Sequence, residues 1–118
     1  MTVTVYGIAN CDTVKKARTW LDAQGIAYHF ADYKKVGAEP GKLAGWIEQA
    51  GLDKVLNRAG TTFKKLGDAE KASATDPGKA IGLMVEQPSM IKRPIVEHDN
   101  GLLVGFNEAA WAAALKRA

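Results

Sequence analysis

The chain has very little cysteine: Cys11 is the single one among 118 residues. An internal disulfide is therefore impossible, which excludes the small secreted scaffolds that disulfides hold together and favours a reducing compartment. Only two histidines are present, His29 and His98, and neither has the spacing of a metal ligand relative to Cys11. The sequence predicts no metal site, and a Cys–His pair stays open as an alternative.

Long apolar runs and a strong charge of one sign are also missing. No stretch approaches the roughly 20 apolar residues of a membrane-spanning helix, and the first residues lack the basic and apolar regions of a signal peptide. The net charge is +3, from 16 basic and 13 acidic residues, which is too small to indicate nucleic-acid binding. We therefore expect a cytoplasmic protein without a membrane or nucleic-acid partner.

The first third of the chain predicts a βαβ unit. An apolar run from Val3 to Ile8 favours a strand, and apolar residues at helical spacing favour a helix from about Asp12 to Ala23. Partial alternation from Ile26 to Tyr33 favours a second strand. Strand, helix and strand at this length imply parallel strands and a right-handed crossover.

The last third predicts a hairpin followed by a helix. Residues 94–98 and 102–106 favour two strands, and the Asn-Gly pair at 100–101 is typical of the tight turn between them. Asn107 is a candidate cap for a final helix that contains Trp111 and Leu115.

The middle of the chain contains no convincing strand. Apolar spacing predicts a helix that begins near Pro40 and ends at Gly51, a short one over residues 62–66, and another that Asp76 caps. The fold class is therefore α/β: a thioredoxin-like, four-stranded mixed sheet in the order β-α-β … β-β-α. We expect residues 1–118 to form one such domain, with a helical insertion at about residues 40–90.

Cys11 is the first candidate for chemistry because it lies at the junction between the first strand and the first helix. Backbone N–H groups and the dipole at a helix start stabilise an anion, and Lys15 follows on the same helix face. The alternative for Cys11 is a small buried hydrophobic residue. Arg93 offers a planar cation for a carboxylate or oxyanion if it points toward Cys11, and the alternative is a surface arginine.

Three segments carry a family resemblance: YGIANCDTVKKA at residues 6–17, NRAGTTFKKL at 57–66 and IKRPIV at 91–96. Together they resemble the ArsC/Spx family, which is related to arsenate reductases, and within it the YffB-type branch. The resemblance extends over essentially the whole chain. It implies a thioredoxin-like fold with a helical insertion, Cys11 as the active-site thiol, Arg93 beside it, and Pro94 as a cis-proline.

The chain departs from both branches of this family. Glutathione-coupled arsenate reductases of the family use three arginines. Arg93 matches one, Asn57 stands near the second with Arg58 adjacent, and the third falls near Gly105 and Phe106, which carry no charge. Regulators of the Spx type usually carry Cys-x-x-Cys, and Val14 stands at the second cysteine position.

The resemblance implies a glutathione-dependent monothiol oxidoreductase that acts through a mixed disulfide on Cys11. Glutathione is the expected co-substrate, with no bound cofactor, and a thiol or disulfide substrate or a protein is the expected partner. The alternatives are a Spx-like interaction and transcription-regulatory module without catalysis and, more weakly, a true arsenate reductase. The candidate catalytic residues are Cys11 and Arg93, and the candidate substrate- or glutathione-binding residues are Asn10, Lys15, Arg58 and Pro94.

Overall fold

The computed structural model describes residues 2–99 and 101–115. The chain divides into two compact units. One unit contains the residues up to 35 and those from 93 onward, and the other contains residues 36–92. Within the described residues, no helix has the length and apolar character needed to cross a membrane.

The first unit is built on a four-stranded mixed sheet in the order β2-β1-β3-β4. β1 is parallel to β2 and antiparallel to β3, and β3 is antiparallel to β4. This order confirms the predicted thioredoxin-like sheet and the parallel βαβ unit. The strands are β1 (Thr4–Gly7), β2 (His29–Asp32), β3 (Ile95–His98) and β4 (Gly101–Val104).

Two helices contribute the hydrophobic core of this unit together with the sheet. They are α1 (Asp12–Ala23) and α8 (Glu108–Leu115). Val5 of β1, Val3 just before it and Val96 of β3 cluster with apolar residues of the two helices, because alternate residues of an extended chain point to the same face. The cluster consists of Val3, Val5, Ala17, Leu21, Val96, Trp111 and Leu115.

The second unit is helical. It contains α3 (Pro40–Ala50), α4 (Leu52–Val55), α5 (Thr61–Lys64), α6 (Asp68–Ser73), α7 (Pro77–Glu86) and a 3₁₀ turn (Pro88–Met90). A further short helix, α2 (Tyr33–Val36), follows β2. Among its described residues the unit has no strand beyond a single bridge between Leu56 and Ile91. The helices predicted near Pro40 and after Asp76 are confirmed. Three short helices, α2, α4 and α6, were not predicted, because four to six residues are too few to show apolar periodicity, and α6 buries no residue.

Both predicted helix caps are confirmed. The Asp76 carboxylate accepts a hydrogen bond from the Lys79 N–H at 3.0 Å. The Asn107 side-chain oxygen accepts one from the Ala110 N–H at 3.0 Å. These bonds satisfy N–H groups that have no partner within the helix.

The second strand is shorter than residues 26–33, over which it was predicted. The Ile26 N–H is bonded to the Leu21 carbonyl at 3.0 Å, so this part of the backbone closes the end of α1 and does not join the sheet. At the other end, Tyr33 already belongs to α2. The predicted turn at residues 100–101 cannot be compared in full, because Asn100 lies outside the described residues.

Gly7 allows the end of β1 to lie against the first turn of α1. A Cβ atom at Gly7 would be 2.9 Å from Cγ2 of Val14 and 3.4 Å from its Cγ1. Val14 is fully buried, and its β-branched side chain has little rotamer freedom in a helix. The close approach of strand and helix therefore requires glycine at position 7.

We predict that Gly7→Ala destabilises the protein by about 1–3 kcal/mol, because the added methyl overpacks a rigid contact. Urea unfolding measures this change. Gly82→Ala is the matched control, since a Cβ at Gly82 in α7 meets no atom within 4 Å. That variant should gain about 0.5–1 kcal/mol from helix propensity. Equal effects of the two substitutions would contradict the packing role of Gly7.

Candidate active site around Cys11

Cys11 occupies the N-cap position of α1, with an extended backbone at φ −129° and ψ 126°. Its carbonyl accepts a hydrogen bond from the Lys15 N–H at 2.9 Å, which begins the helix. The residue is partly exposed and is a free cysteine. The sulfur therefore lies at the positive end of the helix dipole and remains accessible to a reactant.

Opposing effects act on the sulfur, and their sum favours the thiolate. Partial burial raises the pKa of Cys11, but the Val14 N–H, the Arg93 side chain and the Thr13 N–H act as hydrogen-bond donors and lower it. The positive charge of Arg93 lowers it further, so that the pKa lies below its usual value. The donors are thus arranged for a charged sulfur.

Arg93 and Pro94 precede β3, beside the end of β1. Their peptide bond is cis, as the resemblance implied. The Pro94 carbonyl accepts a hydrogen bond from the Gly105 N–H at 2.8 Å, which extends the β3–β4 ladder past its last regular pair. Because Tyr6 of β1 is opposite Ile95 of β3, Arg93 reaches the end of β1 from which the chain continues to Cys11.

Three polar side chains near Arg93, those of Tyr6, Tyr33 and Glu97, are partly or fully buried, and the sequence did not predict this group. The Tyr6 hydroxyl donates to the Glu97 carboxylate at 2.9 Å, and the ring of Tyr6 stacks on Tyr33 with centroids 6.4 Å apart. Burial raises the pKa of Tyr33; Arg93 lowers it, and Tyr6 and Glu97 raise it. Tyr33 is therefore a neutral phenol within electrostatic range of the Arg93 charge.

Asp32 is a buried carboxylate that holds the loop before Cys11. It is 9% exposed, and its Oδ2 accepts a hydrogen bond from the Ala9 N–H at 3.2 Å. In the sequence, Asp32 is recognisable only as an acidic residue at the end of a predicted strand. Its spacing from other acidic residues does not indicate a carboxylate pair, so no role was predicted for it.

The other predicted site residues have different positions. Asn10 is exposed in the turn before Cys11, and Lys15 is exposed one helical turn after it. Arg58 belongs to the helical unit, where its Nη1 lies 2.6 Å from the Asp53 carboxylate. The guanidinium of Arg58 thus already has an acidic partner.

The structure does not bring either histidine to Cys11. His29 is opposite Thr4, at the start of β1, and His98 is opposite Gly101 in the β3–β4 ladder. Cys11 follows the other end of β1, three strand residues away, or roughly 10 Å at the usual rise of a strand. The strand register therefore gives no support to the alternative of a Cys–His pair. Among the described residues, no cluster of three or more His, Cys, Asp or Glu could hold a metal ion.

Comparison with known proteins identifies the family. The model of the ArsC family matches residues 6–114. The chain belongs to the ArsC family. A solved YffB protein is 56% identical, with a TM-score of 0.92 and coverage of 96% of this chain and 98% of that one. These findings confirm the predicted family and its YffB-type branch.

Two further relatives show the breadth of the family. A solved arsenate reductase (ArsC) related protein of Brucella melitensis is 48% identical, covers 99% of this chain and 97% of its own, and has a TM-score of 0.76. The global transcriptional regulator Spx 2 of Lactococcus lactis is 27% identical over 98% of this chain and 87% of its own length. The chain is similar to proteins of both kinds.

We predict that the rate at which iodoacetamide alkylates Cys11 rises with pH, and that the midpoint of this rise lies below the pKa of ~8.5 of a free thiol. Arg93→Ala should raise this midpoint, because both a hydrogen bond and a positive charge are lost. Arg93→Lys should raise it less, since the charge remains. Alkylation rates measured against pH test all three proteins.

Arg18→Ala is the matched control for this measurement. Arg18 lies in α1, the helix that Cys11 caps. Its guanidinium lies 4.1 Å from the centre of the Phe30 ring, and its Nε donates to the Tyr28 hydroxyl. Its loss should leave the midpoint unchanged. If Arg93→Ala and Arg18→Ala both kept the wild-type midpoint, Arg93 would not stabilise the thiolate.

Proposed function

We propose that this ArsC-family protein is a glutathione-dependent monothiol oxidoreductase that acts through a mixed disulfide on Cys11. The observation that supports it is the convergence of the Arg93 side chain and the N–H groups of Thr13 and Val14 on the single thiol of the chain. A thiolate is the nucleophile of thiol–disulfide exchange. A cytoplasmic location, which we also propose, supplies glutathione.

The first step forms a mixed disulfide between Cys11 and the substrate. The Cys11 thiolate attacks one sulfur of a disulfide R–S–S–R′. The S–S bond breaks, a Cys11–S–S–R bond forms, and R′–S⁻ leaves and takes up a proton. Arg93 is suited to hold Cys11 as a thiolate before the attack, and it stabilises the same thiolate when a later step releases it.

The second half requires thiols from outside the chain. The position that holds the second cysteine in Spx-type proteins is Val14, whose side chain is fully buried against Gly7. A glutathione thiolate therefore attacks the Cys11 sulfur and expels R–S⁻. A second glutathione thiolate then attacks the glutathione sulfur and releases Cys11. Two electrons pass from two glutathiones to the disulfide, which yields two thiols and oxidised glutathione.

Glutathione offers two carboxylates and a peptide backbone for recognition. Arg93 donates a hydrogen bond to the Cys11 sulfur, and Lys15 follows Cys11 by one helical turn, so we assign carboxylate binding to both. Asn10, which precedes Cys11, and Pro94, which follows Arg93, are assigned contacts with the peptide. Arg58 is the fifth candidate, and a glutathione carboxylate would have to compete there with Asp53.

We predict that Cys11→Ser abolishes glutathione-coupled reduction of a small disulfide such as bis(2-hydroxyethyl) disulfide, because the hydroxyl is not a nucleophile under these conditions. Consumption of NADPH by added glutathione reductase measures the rate. Unchanged turnover in the variant would reject the proposed function.

A Spx-like interaction module is the second candidate, and the similarity to Spx over nearly the whole chain supports it. The two candidates differ in their dependence on the thiol. A purified partner that binds wild type and Cys11→Ser equally, in a protein without disulfide exchange, would favour the module.

Arsenate reduction receives less support from the residues. Arg93 matches one of the three family arginines, whereas Asn57 and the uncharged pair Gly105-Phe106 stand near the other two. We therefore expect no arsenate-dependent turnover with glutathione and glutaredoxin. Coupled NADPH oxidation checks this, and a robust rate would make the arsenate reductase assignment the correct one.

A further inference from the structure

An open groove of about 940 Å³ lies between α1 and the first turn of α8. Its lining joins two aromatic rings to two lysines, with small and polar residues around them. We call it the α1–α8 groove, and the residues that matter for its chemistry are Lys15, Lys16, Trp20, Phe106, Glu108 and Ala109.

The groove begins one helical turn from the reactive sulfur. Lys15 lines it, and the Lys15 N–H donates to the Cys11 carbonyl at 2.9 Å. Residues four apart on a helix are neighbours on one face, so Cys11, Lys15 and Thr19 form a continuous stripe that leads into the groove. A chain bonded to Cys11 and lying along this stripe therefore passes directly into it.

The distance from Cys11 to Trp20 along α1 determines how far apart two groups of a bound peptide must be. Trp20 comes nine residues after Cys11, which corresponds to about 13 Å at the helical rise of 1.5 Å per residue. An extended peptide advances about 3.3 Å per residue. We call the rings of Trp20 and Phe106 the aromatic floor of the groove. The peptide side chain that contacts this floor is therefore about four residues from the peptide's reacting cysteine.

The aromatic floor is held in place by edge contacts. The ring of Trp20 lies 6.3 Å from Phe106 and 6.1 Å from Trp111, with interplanar angles of 62° and 81°. Phe106 contacts Trp111 in the same manner at 4.9 Å. Because these rings already support one another, the groove is preformed, and an apolar side chain gains buried area without first reordering it.

The charge around the floor favours an acidic ligand. Lys15 and Lys16 are exposed on the α1 side, and the N-terminal end of α8, with its positive dipole, forms the other side. Glu108 is the opposing carboxylate and leaves the lining with a net positive charge. Acidic side chains beside an aromatic one complement this arrangement.

We propose that the α1–α8 groove binds the polypeptide that carries the disulfide, and that the substrates are acidic, aromatic peptide segments. The matching sequence has an aromatic residue about four positions from the reacting cysteine and acidic residues next to it. This inference rests on the proposed function, because the peptide sulfur is the R sulfur that forms Cys11–S–S–R. It extends the substrate class from small disulfides to proteins.

Synthetic peptides test the groove. Each carries one cysteine in a mixed disulfide with 2-mercaptoethanol, with Phe four residues before or after it and two Glu beside the Phe. In matched peptides, Ser replaces Phe, or Lys replaces both Glu. The rate constant for each, divided by that for bis(2-hydroxyethyl) disulfide, gives a preference. We expect the preference for the Phe-Glu peptide to exceed that for either replacement by about tenfold, which corresponds to 1.4 kcal/mol.

A charge exchange identifies the groove as the place of recognition. Lys16→Glu should lower the preference for the Glu peptide about fivefold and raise that for the Lys peptide. Lys79→Glu is the matched control, because this exposed lysine of α7 does not line the groove. It should keep the wild-type preferences.

The outcomes separate this inference from the function on which it rests. The groove assignment is wrong if the small disulfide reacts at Cys11 but all peptides give the same relative rate constant. It is also wrong if Lys16→Glu and Lys79→Glu have the same effect on the peptide preferences. In both cases the proposed function stands. If no disulfide reacts at Cys11, the proposed function is wrong, and the inference is wrong with it.

Discussion

The stabilisation of negative charge on the Cys11 sulfur is the interaction on which the rest of the site depends. Burial of the thiol opposes that charge, and the donors from Val14, Arg93 and Thr13 together outweigh it. Two of these donors come from the first turn of α1, and the third comes from the residue pair before β3. The thiolate is therefore a product of helix position and sheet order together.

Packing around β1 keeps these donors in place. Gly7 lets Val14 approach the strand, and the buried Asp32 carboxylate bonds the Ala9 N–H in the connecting loop. Neither residue touches a reactant in the proposed mechanism. Both restrict the path of the chain between β1 and α1, and a small shift there would move the sulfur relative to the guanidinium of Arg93.

The monothiol mechanism that we propose follows from the absence of a second cysteine, and a buried Val14 stands where that cysteine would be. In a Cys-x-x-Cys site, the second thiol sits one turn into the helix and can reach the first. In this chain the corresponding side chain packs inward against Gly7. In the mechanism that we propose, an external thiol must therefore resolve the mixed disulfide on Cys11, and the groove that begins at Lys15 is open beside it.

Local patterns predicted most of the elements. Caps such as Asp76 and Asn107 act on neighbouring N–H groups, so their effect is visible in a few residues of sequence. One-turn helices such as α4 leave no such pattern. The extent of β2 was overestimated because Ile26 has the apolar character of a strand, while its N–H closes the end of α1.

The sequence by itself determined that there is one thiol, that no internal disulfide can form, and that the thiol begins a helix. These properties depend on counting and on contacts a few residues apart. Only the tertiary structure decided that Arg93 lies beside Cys11, since this requires β3 to pair with β1 at the register of Tyr6 and Ile95. The same holds for Tyr33 near Arg93, because pairing between distant strands leaves no local signal.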